Sequence, residues 1–256
     1  MNQTIDARCV GYLATNTREF LSEEKLEASG YSSDKVKLEA DMSKITTIEQ
    51  ALEFMQDNMT VMIGGFLGVG TPERLVDALV IKGTKNLIVI ANDTAMPDKG
   101  IGKLVVSRQL KKAIVSHIGT NSETGRQMNA GELEVELIPQ GTLAEQIRAG
   151  GAGLGGILTP TGLGTIVAEG KDVITVDGKE FLLEKPLKAD VALIKAHTVD
   201  TAGNLLFYRS ARNFNPLMAM AAKVVIVEAE NIVEVGQIDP DQVITPGIFI
   251  DWIIQG

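Results

Sequence analysis

The sequence is poor in cysteine, in aromatic residues and in long apolar runs. Cys9 is the only cysteine, which excludes an intramolecular disulfide or a zinc site built from cysteines and favours a reducing compartment. Aromatic residues make up 4% of the chain, so the core must be mostly aliphatic. No apolar run approaches the roughly 18 residues of a membrane helix, and no secretion signal is evident. We therefore expect a cytoplasmic protein with no membrane span.

Positive charge is also scarce. The 24 lysine and arginine residues are outnumbered by 33 aspartate and glutamate residues, which gives a formal net charge of -9. A protein with this charge repels phosphate backbones and anionic lipids at long range. Binding to nucleic acid or to a membrane surface is therefore not expected, and the chemistry must be sought in local motifs.

Aliphatic residues and glycine are abundant instead. The chain has 256 residues, of which 45% are hydrophobic, and this is enough to bury one core. From residue 44 onward, short apolar runs alternate with helical patterns, which predicts an open, mostly parallel sheet flanked by helices. Residues 44–256 contain no evident linker or repeat, so we expect one α/β domain. Residues 1–43 are polar and lack periodicity, and we expect them to form an N-terminal extension.

Two helix starts and a glycine-rich loop are the clearest local motifs. Thr46 and Glu49 have the spacing of a capping box, which predicts a helix over residues 46–56. The loop Gly64–Gly70 follows an apolar run and precedes Thr71-Pro72, the expected N-cap and first residue of a second helix. Free N–H groups at that helix start favour a phosphate or a developing oxyanion. A purely structural turn is the alternative, and spacing alone does not separate the two.

A second glycine-rich stretch, residues 150–164, is expected to be a long loop. Residues 151–156 within it fit the pattern G-x-G-x-x-G, but no βαβ unit surrounds them, so a dinucleotide site is not indicated. A flap over a partner's active site and an ordinary turn are both compatible with this stretch.

The two histidines and the acidic residues give no metal-site pattern. His117 and His197 each follow an apolar strand, where a side chain can reach a cleft at strand ends. Neither has the third ligand of a metal site or a serine or cysteine motif nearby. We expect ordinary hydrogen-bonded histidines and no bound metal.

The segment Asp57–Pro72, with the sequence DNMTVMIGGFLGVGTP, resembles the signature of the alpha subunit of the coenzyme A transferases. The likeness is greatest to the 3-oxoacid (family I) transferases, in particular the acetate, butyrate and acetoacetate enzymes. It runs from about Lys44 to the C-terminus and leaves residues 1–41 outside. The further stretches that resemble the family are residues 90–93, 131–137, 139–145, 159–162 and 211–216.

The resemblance implies a ping-pong transfer of coenzyme A between a short-chain acyl-CoA and a free carboxylic acid. A glutamate carboxylate attacks the thioester to give an acyl-glutamyl anhydride and then a glutamyl-CoA thioester. This chemistry needs a positioned carboxylate, donors for the oxyanions and exclusion of water. Coenzyme A is then a substrate, and no further cofactor is implied.

The nucleophile is expected on another chain. In the family the glutamate lies in a Ser-Glu-Asn-Gly context on the beta subunit, and this sequence has no such tetrapeptide. Its nearest match is Ala229–Ile232, where we expect Glu230 to have a structural role. The resemblance therefore implies that a beta subunit completes the active site, most simply in an α2β2 assembly.

The resemblance also assigns binding residues. Asn92 follows a strand and Gln127 follows Arg126, and both match positions that face the acyl substrate; neutral amides can hold a carboxylate or an oxyanion. From the residues alone, Asn92 caps a turn, Gln127 is solvated, and Arg209 and Arg212 form a solvated face rather than attract a phosphate. The expected coenzyme A residues are Gly64, Gly65, Phe66, Leu67, Gly68, Val69 and Gly70.

A sugar-phosphate sensing module of similar α/β architecture is the rival class, since its glycine loop would hold a phosphate. Such a regulator needs a helix-turn-helix segment, and residues 1–43 have neither an apolar helical pattern nor a basic face. A related sugar-phosphate isomerase would need its own acid–base pair, and the chain has no persuasive one. The transferase is the leading expectation.

Overall fold

The computed structural model describes residues 44–256, so the expected extension, residues 1–43, lies outside the described residues. The strands are β1 (Thr60–Ile63), β2 (Leu87–Ile90), β3 (Leu110–Val115), β4 (Glu134–Leu137), β5 (Ile157–Thr159), β6 (Val173–Val176), β7 (Lys179–Glu184), β8 (Ala189–Asp200), β9 (Leu205–Leu206), β10 (Ala222–Val233) and β11 (Trp252–Gln255). The α-helices are α1 (Ile48–Leu52), α2 (Glu73–Lys82), α3 (Gly102–Val106), α4 (Ser122–Asn129), α5 (Gln140–Gly151) and α6 (Asn215–Ala221).

The predicted parallel sheet is confirmed. Seven strands lie in the order β11-β10-β8-β1-β2-β3-β4, all parallel to their neighbours, and β9 pairs antiparallel with β8. The chain runs outward from β1 to β4 in one direction and then from β8 to β11 in the other. The strand order therefore reverses beside β1, and open α/β sheets bind ligands at such a point, outside the carboxyl ends of the strands.

Helices cover both faces of the sheet, as expected for a parallel sheet whose strand order reverses. On one face α1, α2 and α3 bury aliphatic residues such as Leu79 and Leu104 against the sheet. On the other face α5 and α6 contribute Ile147 and Met218 to a second buried cluster. Among the helices described, the longest has 12 residues, and none is long and apolar enough to cross a bilayer.

Both predicted helix starts are displaced by one residue. The capping box of α1 joins Thr47 and Gln50, not Thr46 and Glu49, and the helix ends at Leu52 rather than at residue 56. The Thr47 hydroxyl accepts from the Gln50 N–H at 3.3 Å. In α2 the N-cap is Pro72, which has no side-chain acceptor for the helix. Thr46 and Thr47 are adjacent and equivalent as caps, and Pro72 fits either the N-cap or the first helical position. The sequence therefore does not determine at which of two neighbouring residues each helix begins.

The second glycine-rich stretch contains a strand that the sequence analysis did not predict. β5 pairs antiparallel with β7, and β7 forms a hairpin with β6 in a separate three-stranded sheet. Asp177 and Gly178 have positive φ angles in the turn of this hairpin. β5 has three residues and pairs with residues 182–184, so neither periodicity nor a short turn reveals it.

Candidate functional site

The loop after β1 is a two-residue hairpin at the reversal point of the sheet, and we call residues Gly64–Gly70 the glycine hairpin. Phe66 and Val69 exchange backbone hydrogen bonds of 3.0 and 2.9 Å. Leu67 and Gly68 at its tip have positive φ angles of 48° and 91°, the backbone geometry of tight β-hairpin turns. The fold therefore holds this loop at the point of the sheet where ligands bind in open α/β folds.

The glycine hairpin presents free donors and apolar side chains to the outside. Five of its seven backbone N–H groups donate within the chain, whereas those of Gly68 and Gly70 have no acceptor in residues 44–256. The side chains of Phe66, Leu67 and Val69 are 43, 37 and 49% exposed. Unpaired N–H groups beside an apolar surface are suited to a ligand that carries both a negative charge and an apolar arm.

Two asparagines, whose role the sequence analysis missed, hold the glycine hairpin from the start of α6. The Asn213 side chain accepts from the Gly65 N–H at 3.2 Å and donates to the Val69 carbonyl at 2.9 Å. Asn215 is fully buried and donates to the Gly70 carbonyl at 3.0 Å. These contacts join positions about 145 residues apart in the chain. No local pattern in the sequence indicates such contacts. The resemblance of residues 211–216 to the family was the one signal that this segment matters.

Close approach explains why two hairpin positions are glycine. A Cβ atom on Gly64 would lie 1.8 Å from the Asn215 Oδ1 atom, and one on Gly70 would lie 2.6 Å from the Ala211 carbonyl oxygen. Both distances are far inside van der Waals contact. A side chain at either position would push the asparagine support away from the hairpin.

The start of α2 is not a free anion site, which was one of the two alternatives that the sequence left open. Glu228 projects from β10, and its Oε2 atom accepts from the N–H groups of Arg74 and Leu75 at 2.9 and 3.1 Å. The carboxyl is 2% exposed, and this burial raises its pKa. The chain thus supplies its own anion to the helix dipole, and only the hairpin itself retains free donors.

Asn92 lies beside the glycine hairpin in a buried polar network. Its Nδ2 donates to the Asp93 carboxylate at 2.6 Å, and the same carboxylate oxygen accepts from the Leu67 N–H at 3.0 Å. The Asn92 Oδ1 accepts from Gln140 Nε2 at 2.7 Å and from the Ser116 hydroxyl at 3.2 Å. The structure therefore brings Asn92 and the hairpin together, and it adds Gln140, which the sequence analysis did not single out.

Gln127 is placed apart from this network, in contrast to the site expected from the resemblance. Its side chain is 2% exposed and lies on α4. The Nε2 atom donates to the Val105 carbonyl and to the Glu123 carboxylate, both at 2.8 Å. The amide is not solvated, and Asn92 is equally buried. What separates the two is position: Asn92 is bonded beside the hairpin, whereas the contacts of Gln127 hold α4 against α3.

A family model described as coenzyme A transferase matches residues 45–256. The alpha subunit of acetate CoA-transferase from Escherichia coli K12 is 58% identical over 212 residues, which cover 83% of this chain and 96% of the relative. The alpha subunit of acetoacetyl-CoA:acetate/butyrate CoA transferase from Clostridium acetobutylicum is 55% identical over 213 residues, covering 83% and 98%. The chain belongs to the coenzyme A transferase family. The family predicted from the sequence is confirmed, and a sugar-phosphate sensor is not supported.

Solved structures of coenzyme A transferases share the fold. Glutaconate coenzyme A-transferase from Acidaminococcus fermentans superposes with a TM-score of 0.76 at 20% identity, over 84% of this chain and 76% of that chain. An acyl-CoA transferase from E. coli O157:H7 gives a TM-score of 0.75 at 23% identity, over 84% and 47%. The predicted α/β architecture is therefore that of the coenzyme A transferases.

Glu230, the nearest match in this chain to the nucleophile of the family, is engaged on both oxygens. Lys195 Nζ lies 3.0 Å from Oε1, and His197 Nδ1 lies 2.7 Å from Oε2. The hydrogen bond from His197, with the ammonium group of Lys195, lowers the pKa of Glu230. His197 thus has a carboxylate as hydrogen-bond partner, while His117 is exposed beside Asp93 at the strand ends. This pairing supports a structural role for Glu230.

One cavity within residues 44–256 has no residue of the glycine hairpin among its walls. Its volume is about 520 Å³, and it separates α5 from β5, with Thr142, Arg148, Leu158 and Thr161 among its walls. The described residues of this coenzyme A transferase contain no group of three potential metal ligands. The hairpin itself lies on open surface, so a second protein surface would be needed to enclose a substrate there.

Proposed function

We propose that this chain is the alpha-type subunit of a transferase that moves coenzyme A between a short-chain acyl-CoA and a free carboxylic acid. The curated relatives named above are alpha subunits of acetate and acetoacetyl-CoA:acetate/butyrate enzymes. The observation that carries the proposal is the glycine hairpin with its two free N–H groups, held at the reversal point of the sheet and next to Asn92. Acetate, butyrate and acetoacetate are the acids that these relatives suggest.

The chemistry assigned to the hairpin is stabilisation of negative charge. A carboxylate that attacks the thioester carbonyl forms a C–O bond and a tetrahedral oxyanion, which then expels the coenzyme A thiolate and leaves an acyl anhydride. The thiolate attacks the enzyme-side carbonyl of the anhydride, releases the carboxylic acid and leaves a glutamyl-CoA thioester; the incoming acid reverses both steps. Each oxyanion needs fixed donors, and the N–H groups of Gly68 and Gly70 and the amide of Asn92 are candidates for this role.

We infer that the attacking carboxylate belongs to a beta-type partner. Three carboxylates around the site are already bonded within this chain. Asp93 accepts from Leu67, Ala95 and Asn92; Glu228 accepts from α2; Glu230 pairs with Lys195 and His197. A nucleophile must be free to form a bond, so the partner is expected to supply it, most simply in an α2β2 assembly in the cytoplasm.

The decisive experiment is reconstitution with the cognate beta-type subunit. Coenzyme A exchange between butyryl-CoA and acetoacetate is measured with this chain alone, with the partner alone and with the mixture, and the oligomer is sized by sedimentation. We expect exchange only in the mixture, with a borohydride-trapped glutamyl adduct on the partner. An adduct on this chain, or full turnover by this chain alone, would contradict the proposal.

A matched pair of amide substitutions tests the acyl-substrate site. Asn92→Ala should lower kcat/KM about 100-fold, because it removes an oriented amide beside the hairpin. Gln127→Ala should change kcat/KM less than about threefold and instead lower the free energy of unfolding by about 1–2 kcal/mol, because it removes a buried hydrogen bond to the Val105 carbonyl and leaves a space between α4 and α3. Steady-state kinetics and urea unfolding on both variants separate these effects. The reverse pattern would restore Gln127 to the substrate site and remove Asn92 from it.

A further inference from the structure

Two arginines beside the glycine hairpin have no acidic partner in the part of the chain that the structure describes. Arg209 and Arg212 bound a 3₁₀ turn, and neither guanidinium pairs with a carboxylate or a carbonyl of residues 44–256. In a chain of net charge -9, exposed guanidinium groups without a counter-ion attract anions. The other arginines of the described chain are bonded: Arg74 to the Gln255 carbonyl, Arg108 and Arg126 to Glu132, and Arg148 to Glu145.

The arginine turn is fixed to the base of the hairpin. Asn213 donates through one amide to both the Val69 carbonyl and the Ser210 carbonyl, each at 2.9 Å. Asn215 likewise joins the carbonyls of Gly70 and Ala211, at 3.0 and 2.8 Å. The backbone that carries the two guanidinium groups is therefore as firmly placed as the hairpin itself.

An exposed aromatic ring accompanies the arginines. The Tyr208 side chain is 53% exposed, the Arg209 guanidinium lies 4.8 Å from its ring centroid, and the His197 ring lies 5.2 Å away on a tilted plane. Purine bases stack on exposed aromatic and guanidinium faces. The surface next to the hairpin base thus combines two cations for phosphate with a flat surface for a base.

The opposite side of the hairpin has different chemistry. The tip is bonded through Leu67 to Asp93, which contacts Asn92. The start of α2, the other natural phosphate site, is already filled by Glu228. Lys99 is one exposed cation beside Gly68 on that side, whereas the arginine turn offers two guanidinium groups next to an aromatic ring, so it is better matched to a phosphate joined to a purine. Asn92 is suited to the acyl end.

We propose that Arg209, Arg212 and Tyr208 bind the phosphoadenosine end of coenzyme A, with the pantetheine arm crossing the hairpin toward Asn92. This inference rests on the proposed function and adds the direction in which the substrate lies. Arginine is the side chain best matched to phosphate, because its planar fork donates two parallel hydrogen bonds. The apolar side chains of Phe66 and Val69, which are exposed on the hairpin, suit the pantetheine arm.

The test measures binding of the nucleotide end of coenzyme A separately from recognition of the thioester end. The complex with the beta-type subunit is titrated calorimetrically with adenosine 3′,5′-bisphosphate, and KM is measured for butyryl-CoA, butyryl-3′-dephospho-CoA and butyryl-pantetheine. Arg212→Ala and Arg209→Ala should each weaken bisphosphate binding and raise KM for butyryl-CoA about tenfold, as loss of a charge-assisted hydrogen bond predicts. KM for butyryl-pantetheine should change less than about twofold. Arg212→Lys should recover part of the loss.

The control is Lys179→Ala, which removes one exposed positive charge from β7 and should leave all three KM values unchanged. Failure of the wild-type complex to bind the bisphosphate, unchanged binding in both arginine variants, or an equal rise in KM for butyryl-pantetheine would overturn the inference. A complex that binds the bisphosphate through the arginines but exchanges no coenzyme A would refute the proposed function and leave this site standing.

Discussion

Glu228 and Glu230 lie two residues apart on one face of β10, yet their carboxylates have opposite environments. Glu228 is 2% exposed and bonded to two N–H groups of α2, and burial raises its pKa. The Glu230 side chain is 44% exposed and paired with Lys195 and His197, and these contacts lower its pKa. Alternation along a strand places both on the same side of the sheet, so the face alone does not decide their properties.

What differs is the element that covers each carboxylate. Glu228 lies under the first turn of α2, where backbone donors replace water. Glu230 lies two residues further along the strand on the same face, where it contacts the side chains of Lys195 and His197 on β8. The inner glutamate therefore stabilises the first turn of α2, and the outer one forms a surface ion pair.

The largest expected effect in this comparison is the loss of the inner carboxylate. Glu228→Ala leaves the N–H groups of Arg74 and Leu75 without an acceptor, and we expect the free energy of unfolding to fall by about 2 kcal/mol. Glu228→Gln keeps an acceptor oxygen and should cost about half as much. Glu230→Ala should change stability by less than about 0.5 kcal/mol, because exposed ion pairs contribute little. Urea unfolding of the three variants provides the measurement, and equal losses for Glu228→Ala and Glu230→Ala would refute the distinction.

A smaller effect is expected on turnover. The first turn of α2 follows the glycine hairpin after two residues, so Glu228→Ala should displace the free N–H groups and lower kcat/KM of the reconstituted complex about tenfold. Glu230→Ala should stay within about twofold of wild type. Steady-state exchange of butyryl-CoA with acetoacetate is the assay. Abolition of activity by Glu230→Ala would identify a nucleophile in this chain and contradict the assignment to a partner.

The sheet could be predicted from the sequence because its strands are short aliphatic runs between helical patterns. Position errors arose where the chain offers equivalent residues in succession, as at Thr46 and Thr47. β5 was not predicted for two reasons. Its partner β7 lies about 25 residues further along the chain, and a strand of three residues is too short to show a periodic pattern.

The candidate site could be predicted only in part, because contacts between distant positions orient its residues. The glycine hairpin and Asn92 belong to local motifs at strand ends, and the structure places them together. The support from Asn213, Asn215 and Glu228 joins positions more than 140 residues apart. Gln127 matched a family pattern, but burial against α3 redirects its amide. Long-range contacts that orient a local motif leave no periodic trace in the chain.

The smallest expected effect is the pH dependence of stability, which should have opposite signs at the two glutamates. The pKa of Glu228 is raised by folding, so ionisation costs stability above its folded pKa, and stability is gained as pH falls toward the ordinary glutamate value of about 4.3. The pKa of Glu230 is lowered, so its contribution is present above about 4.3 and is lost as pH falls through the folded value. Urea unfolding of wild type, Glu228→Gln and Glu230→Gln between about pH 7 and pH 3 measures both. The difference between wild type and Glu228→Gln should change above about pH 4.3 and that for Glu230→Gln below it, because each change lies between the folded pKa and the unfolded one. Changes of the same sign for both variants would mean that burial under α2 does not set the two carboxylates apart.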